Sequence, residues 1–459
     1  MPTRTEESVW SPTRAAVGLG LLWGLSAMGT SATSVVLGPL SAGLGLSTAG
    51  SAWVLTSFAL MLAASTAVWG RVADSVGTRT PYLVGVTLLA LGAALAALAP
   101  SFWLLLLGRL LQGLGAGAVP VLTTTTLSAR YDGDDRTVAL GRTNSVTLVL
   151  TSLGPLLGGA VGVLVGWRGS VLLPVLALAL LPVAYRLAPS RGTGVRVDAV
   201  GAGLVAATAA SLLVVVQTLG DPGVLTLAGA VLAPPLLLAL VLRVRGLPEG
   251  FVPLAVVRED VVVRAGVAAA AMPTVYFAGL VAVPLVLAGR GWDPMQNGLL
   301  LLPGALLGAA VSFNSARVIG RLGRRGTALL GLALSAVGAL VSAGVGVSPW
   351  LAGAGFVGLS TGYALAQPSL VGSVAAAVEP RVRGAALGLF TLVFFTGSAL
   401  GSALVGGLGD LLGLPGALAV AAVAPTVAVG VLATARDSAA WGGRPVDADG
   451  PRDERRLQR

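Results

Sequence analysis

Fourteen apolar runs, each about the 20 residues a helix needs to cross a bilayer, leave this chain little choice of fold. They lie near 15–37, 50–69, 81–99, 101–128, 143–165, 169–187, 199–219, 223–242, 261–288, 294–316, 327–347, 349–376, 382–405 and 415–434. The breaks fall at charged or Pro/Gly-rich points. In lipid every backbone N–H and C=O must be satisfied within the protein, so apolar runs of this length become helices. The expectation is an all-α polytopic membrane protein. Only 10% of the 459 residues are charged, against about 25% in a soluble domain. Disorder, collagen and a coiled coil are excluded by the same runs.

Charge placement sets the topology. All 29 basic residues are Arg. With the N-terminus inside, only Arg168 and Arg290 fall in outer loops, Arg109 falls within a span, and the other arginines lie on the cytoplasmic side. Arginine-rich loops stay cytoplasmic, so both termini are expected inside. A single missed span would invert everything after it. Twelve spans would leave 199–219 and 223–242 outside the bilayer, and both are long enough to cross it. The net charge of +10 therefore reads as topology rather than as a nucleic-acid surface. The expected divisions are a cytoplasmic N-terminus (1–14), a first six-helix bundle (15–187), two inserted spans with their linker (188–242), a cytoplasmic connection resting partly on the membrane surface (243–260), a second six-helix bundle (261–434) and a disordered cytoplasmic tail (435–459).

The chain has no Cys and no His. Thiolate chemistry, disulfides, imidazole acid–base catalysis and histidine–metal sites are absent, and no GxxxxGK[ST] loop offers an ATP site. No enzyme activity, cofactor or metal is expected.

Three segments carry the functional signal. After span 2 stands GRVADSVGTR, with Gly70, Arg71, Asp74, Gly77 and Arg79. Its glycines allow a tight turn, and Asp74 suits a neighbouring helix N-terminus, where the dipole favours an anion. Span 4 contains GRLLQGLGAGAVP, with Arg109, Gln112 and Gly113. Arg109 sits roughly 12 Å below the outer end at 1.5 Å per residue. An arginine at that depth costs at least about 2.5–3.5 kcal/mol unless paired or hydrated, so it should face the bundle interior. Span 5 contains LGPLLGGAVGVLVG, in which Gly154, Gly158, Gly162 and Gly166 recur every four residues beside Pro155 and Gly159. Such a ridge lets helices approach closely in lipid, and the proline removes one backbone donor and bends the helix.

These segments, in this order, resemble the signatures of the major facilitator superfamily: its loop 2–3 motif, its span 4 arginine motif and the span 5 GPxxGG motif of drug:proton antiporters. The extra central pair of spans resembles the fourteen-span drug efflux branch, and WVLTSFALMLAASTAVWGRVADSVGTR and PGALLGAAVSFNSARVIGRLGRRG are similar to stretches of Gram-positive tetracycline and multidrug exporters and their actinobacterial relatives. The resemblance covers residues 15–434. It implies two six-helix bundles rocking about a midplane site, in a multi-pass protein of a bacterial cytoplasmic membrane that exports a small amphipathic compound by drug:proton antiport and works as a monomer among membrane lipids. A degenerate copy of the loop motif, from Ala316 to Arg325, has Gly320 at the acidic position. By resemblance, spans 1, 4, 9 and 12 line the cavity, with Ser31, Ser34, Gln112, Thr274, Tyr276, Tyr363 and Gln367, and Trp53 and Phe394 on flanking helices.

The sequence departs from that family where protons would be handled. Gly29 stands at the acidic position of span 1, and Thr151 and Ser398 stand where the tetracycline exporters carry glutamates. All 19 acidic residues lie in loops, tails or span ends. Asp74 and Asp410 are the titratable groups left for coupling. Arg109 then needs carbonyls, Gln112, water, a bound anion or the hydroxyls of Thr30, Ser31, Thr33 and Ser34 as partners, and it is expected to touch substrate. Beside efflux stand two other readings: a lipid or metabolite flippase or facilitator that uses no protons, and a non-transporting membrane sensor, which the intact motifs argue against.

Overall fold

The computed structural model describes residues 10–189, 198–247, 250–379, 382–435 and 438–442. All regular structure among the described residues is helical. The long helices are α1 (Pro12–Val35), α2 (Thr48–Val76), α3 (Arg79–Leu98), α4 (Phe102–Arg130), α5 (Gly133–Val165), α6 (Trp167–Leu187), α7 (Ala199–Gln217), α8 (Val224–Gly246), α9 (Asp260–Ala288), α10 (Pro294–Phe313, continuing over 315–322), α11 (324–343), α12 (Pro349–Ala377), α13 (383–412) and α14 (414–433). Among the described residues, 12 stretches are long and apolar enough to cross a membrane by length and composition. One of them, Arg383–Ala433, is 51 residues long and breaks at Gly413 (φ 73°, ψ 158°). The 29-residue α12 is not among the 12, because Ser360, Thr361, Tyr363 and Gln367 dilute its apolar face.

Backbone geometry reveals an internal repeat. Gly77 (φ 85°, ψ 176°) ends α2, and Gly323 (φ 70°, ψ 170°) separates α10 from α11. Only glycine enters this region without strain. Two residues beyond each glycine, an arginine Nε donates to a carbonyl at the end of its half's last helix: Arg79 to Ala188 at 3.0 Å, and Arg325 to Leu432 at 2.9 Å. The degenerate second motif is therefore a structural copy of the first. The third and fourth helices of each half also touch backbone to backbone. A Cβ on Gly108 would stand 2.5 Å from the Ala96 nitrogen in α3, and one on Gly338 would stand 2.6 Å from the Gly355 carbonyl oxygen in α12.

The halves meet along two seams, α2 against α13 and α5 against α10. Their apolar cores are asymmetric. At the end carrying the α1–α2 and α9–α10 turns, one continuous cluster joins Val36, Leu37, Leu40 and Leu55 to Val281, Val283, Leu287 and Phe356. At the end carrying the chain termini, two clusters stay separate, one around Leu19, Tyr82 and Leu122, the other around Met272, Leu370 and Phe394. Phe395 packs partly buried against both.

Between the halves, α7 packs on α2 and α13, while α8 packs chiefly on α7. The fully buried Gln217 at the end of α7 docks in the α2–α13 seam. Its Nε2 donates to the Ala49 carbonyl (3.0 Å), and its Oε1 accepts from Thr56 Oγ1 (2.9 Å), which lies 2.9 Å from Ser402 Oγ of α13. Gln217→Ala removes the two hydrogen bonds to Ala49 and Thr56 that tie α7 to the seam. It is expected to cost about 1–3 kcal/mol, seen as an earlier thermal transition in detergent; an unchanged transition would show the staple to be idle.

The connection near 243–260 is anchored at both ends. Asp198 accepts from Gly201 N–H (3.0 Å), Phe251 N–H (3.1 Å) and Arg243 Nη2 (2.9 Å). Burial alone pushes this carboxyl up, but those donors hold it below its ordinary value. The short helix Leu254–Arg258 buries Val256 completely. The tail corrects the expectation of disorder from 435 onward. Ala435, Ala440 and Trp441 are buried in the core of the second half, and Trp441 N–H donates to the Ser438 carbonyl. A tryptophan carries enough apolar area to dock a polar segment. Residues 443–459 lie outside the described residues.

Candidate functional site

Arg109 sits on α4, and among the described residues it is the charged side chain classed as buried, at 0% exposure. A snorkelling arginine is thereby excluded. Its Nε donates to the Val54 carbonyl of α2 (2.9 Å), its Nη1 donates to Gln112 Oε1, and its guanidinium lies 4.5 Å from the Phe58 ring centroid. Arg109 Nη2 and Gln112 Nε2 are buried without hydrogen-bond partners. The expected span 1 hydroxyls do not serve it. Ser31 donates to Met28 and Thr151 carbonyls, Thr33 to Gly29 and Ser34 to Ser31. Short hydroxyls in a helix bond back to their own preceding turn. Gly29, at the position where the family carries an acid, presses against Pro174 and lies 3.1 Å (as a Cβ) from Gln112 Nε2. The site is closed by packing where the resemblance offered a countercharge. In this conformation Arg109 is enclosed behind Phe58 and is out of reach of a substrate.

The span 5 motif works on two faces of α5. Gly154 and Gly158 meet α1: a Cβ on Gly158 would stand 2.5 Å from Ala32 Cα and from its carbonyl oxygen. Gly162 meets Val36. Gly159 instead faces the opposite half, against the Pro294 carbonyl and Met295 of α10, while a Cβ on Gly298 of α10 would stand 2.5 Å from the Pro155 carbonyl oxygen. Gly166 ends the helix at φ 85°.

The candidate cavity residues divide in the same way. Tyr276, Tyr363 and Phe394 converge from α9, α12 and α13, with ring centroids 5.0 Å and 5.7 Å apart along the chain of contacts. Phe356 (5.4 Å from Tyr276) and Phe390 (6.4 Å from Phe394) extend the cluster, and sequence reading missed both. Their helical phase could have revealed them: Phe356 and Tyr363 stand seven residues apart on α12, Phe390 and Phe394 four apart on α13. Gln367 is exposed and Trp53 half-buried. Thr274 is no cavity residue, because its hydroxyl is held between the Ala270 and Gly397 carbonyls at the α9–α13 contact. Ser31 and Ser34 are buried in helix packing. Thr151 and Ser398, at the glutamate positions, bond to carbonyls of their own helices.

The loop motif is ordered around its arginine. Thr78 N–H donates to the Pro189 carbonyl (3.0 Å), Arg79 lies 5.4 Å from the Tyr185 ring centroid, and Gly70 packs on Val121. Arg71 is half-buried. The backbone at Asp74 is helical, and its side chain lies outside the described residues.

The chain resembles known proteins along almost all of its length. A family model described as Major Facilitator Superfamily matches residues 19–401. The multidrug resistance protein Stp of Mycobacterium tuberculosis is 29% identical over 408 residues, which cover 86% of this chain and 75% of that protein. The methylenomycin A resistance protein of Bacillus subtilis is 28% identical over 188 residues, 40% of each chain. Among solved structures, the peptide transporter POT in complex with sulfate aligns with a TM-score of 0.69 at 16% identity over 92% of this chain and 94% of that one. The human organic anion transporter MFSD10 (TETRAN) aligns at 0.63 and 18% identity, over 92% and 100%. At such identities these two likenesses speak for the fold alone.

Proposed function

The chain belongs to the major facilitator superfamily, and we propose that it is a fourteen-span carrier that exports an antibiotic or other small amphipathic compound from the cytoplasm by alternating access. The membrane-transporter character and the absence of an enzyme site follow from the family and its multidrug-efflux relatives. The observation that carries the proposal is the asymmetric joining of the halves: one shared apolar core at the turn end, two separate cores at the termini end. Two rigid bundles that part at one end while sealed at the other are what an alternating-access carrier needs. With both termini cytoplasmic, as the arginine distribution supports, the separate cores at that end fit an inward-facing conformation. The aromatic group of Tyr276, Tyr363 and Phe394 supplies an apolar wall of mutually tilted rings suited to an amphipathic ring system.

Antiport with protons is the coupling we assign, with Asp74 as its titratable group. A second reading, a facilitator or flippase independent of protons, draws support from one fact: among the described residues no carboxylate is buried. Uptake of tetracyclines, dyes and anionic amphiphiles into inverted vesicles decides between them. Uptake driven by an imposed pH gradient and abolished by Asp74→Asn is the expected result. Uptake indifferent to the gradient would sink antiport, and no uptake of any compound would sink efflux.

A further inference from the structure

A second site lies away from the central one, at the termini end of the first half. Here a cavity of about 530 Å³ opens between the ends of α3, α4 and α6. Arg79, Arg130 and Arg186 line it together with Tyr131 and the Ala188–Pro189 backbone. Arg130 and Arg186 sit in the last turns of their helices, where a cation suits the dipole. Arg79 opens α3, where the dipole disfavours it, and it is kept there by the Ala188 carbonyl and the Tyr185 ring.

Topology alone asks for arginines in a loop; it does not ask for three to converge on one hollow. Like charges drawn together repel unless an anion lies between them. No carboxylate among the described residues pairs with them. The two ion pairs among the described residues, Arg243–Asp198 and Arg264–Asp260, use none of the three. Among the described residues, Arg130 and Arg186 also donate no side-chain hydrogen bond within the protein.

The other half supplies an internal control. Arg325 is the repeat counterpart of Arg79, and its N–H donates to the Trp441 carbonyl, as Arg79 N–H does to Pro189. There Trp441 itself, 2% exposed, fills the apolar space beside the last helix, and Arg324 donates to the Ala440 carbonyl. Among the described residues, the second half is plugged by its own chain where the first half keeps an arginine-lined hollow.

We propose that this hollow binds a phosphate-type anion, and that its source is the headgroup of an anionic phospholipid. Guanidinium groups match phosphate oxygens in geometry and charge. The helix ends place the arginines at headgroup level, and basic pockets between membrane helices take anionic headgroups. Leu83, one turn along α3 from Arg79, is 47% exposed and offers an apolar wall for an acyl chain.

Native mass spectrometry of the full chain, titrated with dioleoylphosphatidylglycerol, dioleoylphosphatidylcholine or inorganic phosphate, tests this. Phosphatidylglycerol should bind about thirtyfold tighter than phosphatidylcholine if two arginines meet its phosphate. The Arg130→Gln/Arg186→Gln double variant should lose that preference, and Arg186→Gln alone, at an exposed position, should lose about fivefold. Equal binding of the two lipids, or a preference that survives both variants, would overturn the site. Displacement of phosphatidylglycerol by millimolar inorganic phosphate, with the same arginine dependence, would overturn the lipid as the source. The readout is binding, so it stands or falls apart from the efflux assignment.

Discussion

Arg109→Met is expected to slow transport by about 30- to 1,000-fold while leaving thermal stability within about 2 kcal/mol of the parent. The two halves of this expectation rest on the same atoms. Arg109 is enclosed at 0% exposure with no carboxylate partner among the described residues. A buried cation of this kind costs at least about 2.5–3.5 kcal/mol, which a methionine of similar length removes while keeping the contact with Phe58. The bonds to Val54 and Gln112 are lost, at roughly 1.5–3 kcal/mol for a charged donor, so the terms nearly cancel. Transport has no such compensation. Arg109 Nη2 and Gln112 Nε2 are buried without partners in this conformation. Orphan buried donors call for an explanation, and a carrier provides one: the donors are paired in another state of the cycle. Removing the arginine takes about 2–4 kcal/mol from that state, against a net change near zero in this one, which sets the rate loss. Vesicle uptake and a detergent melting curve measure the two sides. Normal uptake, or a methionine variant that melts far below the parent, would show Arg109 to be a structural strut.

How much of this was legible in the sequence follows from which forces the sequence expresses locally. The helices and their order follow from run length, because a bilayer offers the backbone no alternative. Gly77, Gly158 and Arg109 could be singled out because a lone residue type broke a local rule: a turn glycine after a charged loop, a small-residue ridge, a cation in an apolar run. What escaped was pairwise. Nothing in the sequence of α1 says that Ser31 and Ser34 turn their hydroxyls back on their own helix, leaving Arg109 to the Val54 carbonyl. Nothing in α7 says that Gln217 reaches Thr56 in another helix. The resemblance puts Thr274 in the cavity, and its position makes it a packing residue. Trp441 was masked by its polar neighbours, although a single tryptophan is sufficient to dock a segment.

The glycines of the span 5 motif separate packing from gating. Gly158→Ala and Gly159→Ala bring the same gain in helix propensity, up to about 1 kcal/mol, and both force a methyl group into a filled contact. The contacts differ in kind. Gly158 meets Ala32 inside one bundle, so its clash persists in every state of the cycle and lowers the melting temperature without favouring either state. Gly159 meets the Pro294 carbonyl and Met295 across the seam between the halves, a contact that must part when the turn end opens. Overpacking costs about 1–3 kcal/mol, and at Gly159 that cost falls on the sealed state alone. The equilibrium should then move toward the state open at the turn end by about 5- to 150-fold. The chain has no cysteine, so a single cysteine at Leu40, which is fully buried in the joined core, reports this opening without background. A membrane-impermeant maleimide should label it faster in intact cells carrying Gly159→Ala, and at the parent rate with Gly158→Ala. Equal labelling of the two variants would mean that the α5–α10 seam does not part during the cycle, and that the motif serves packing on both faces.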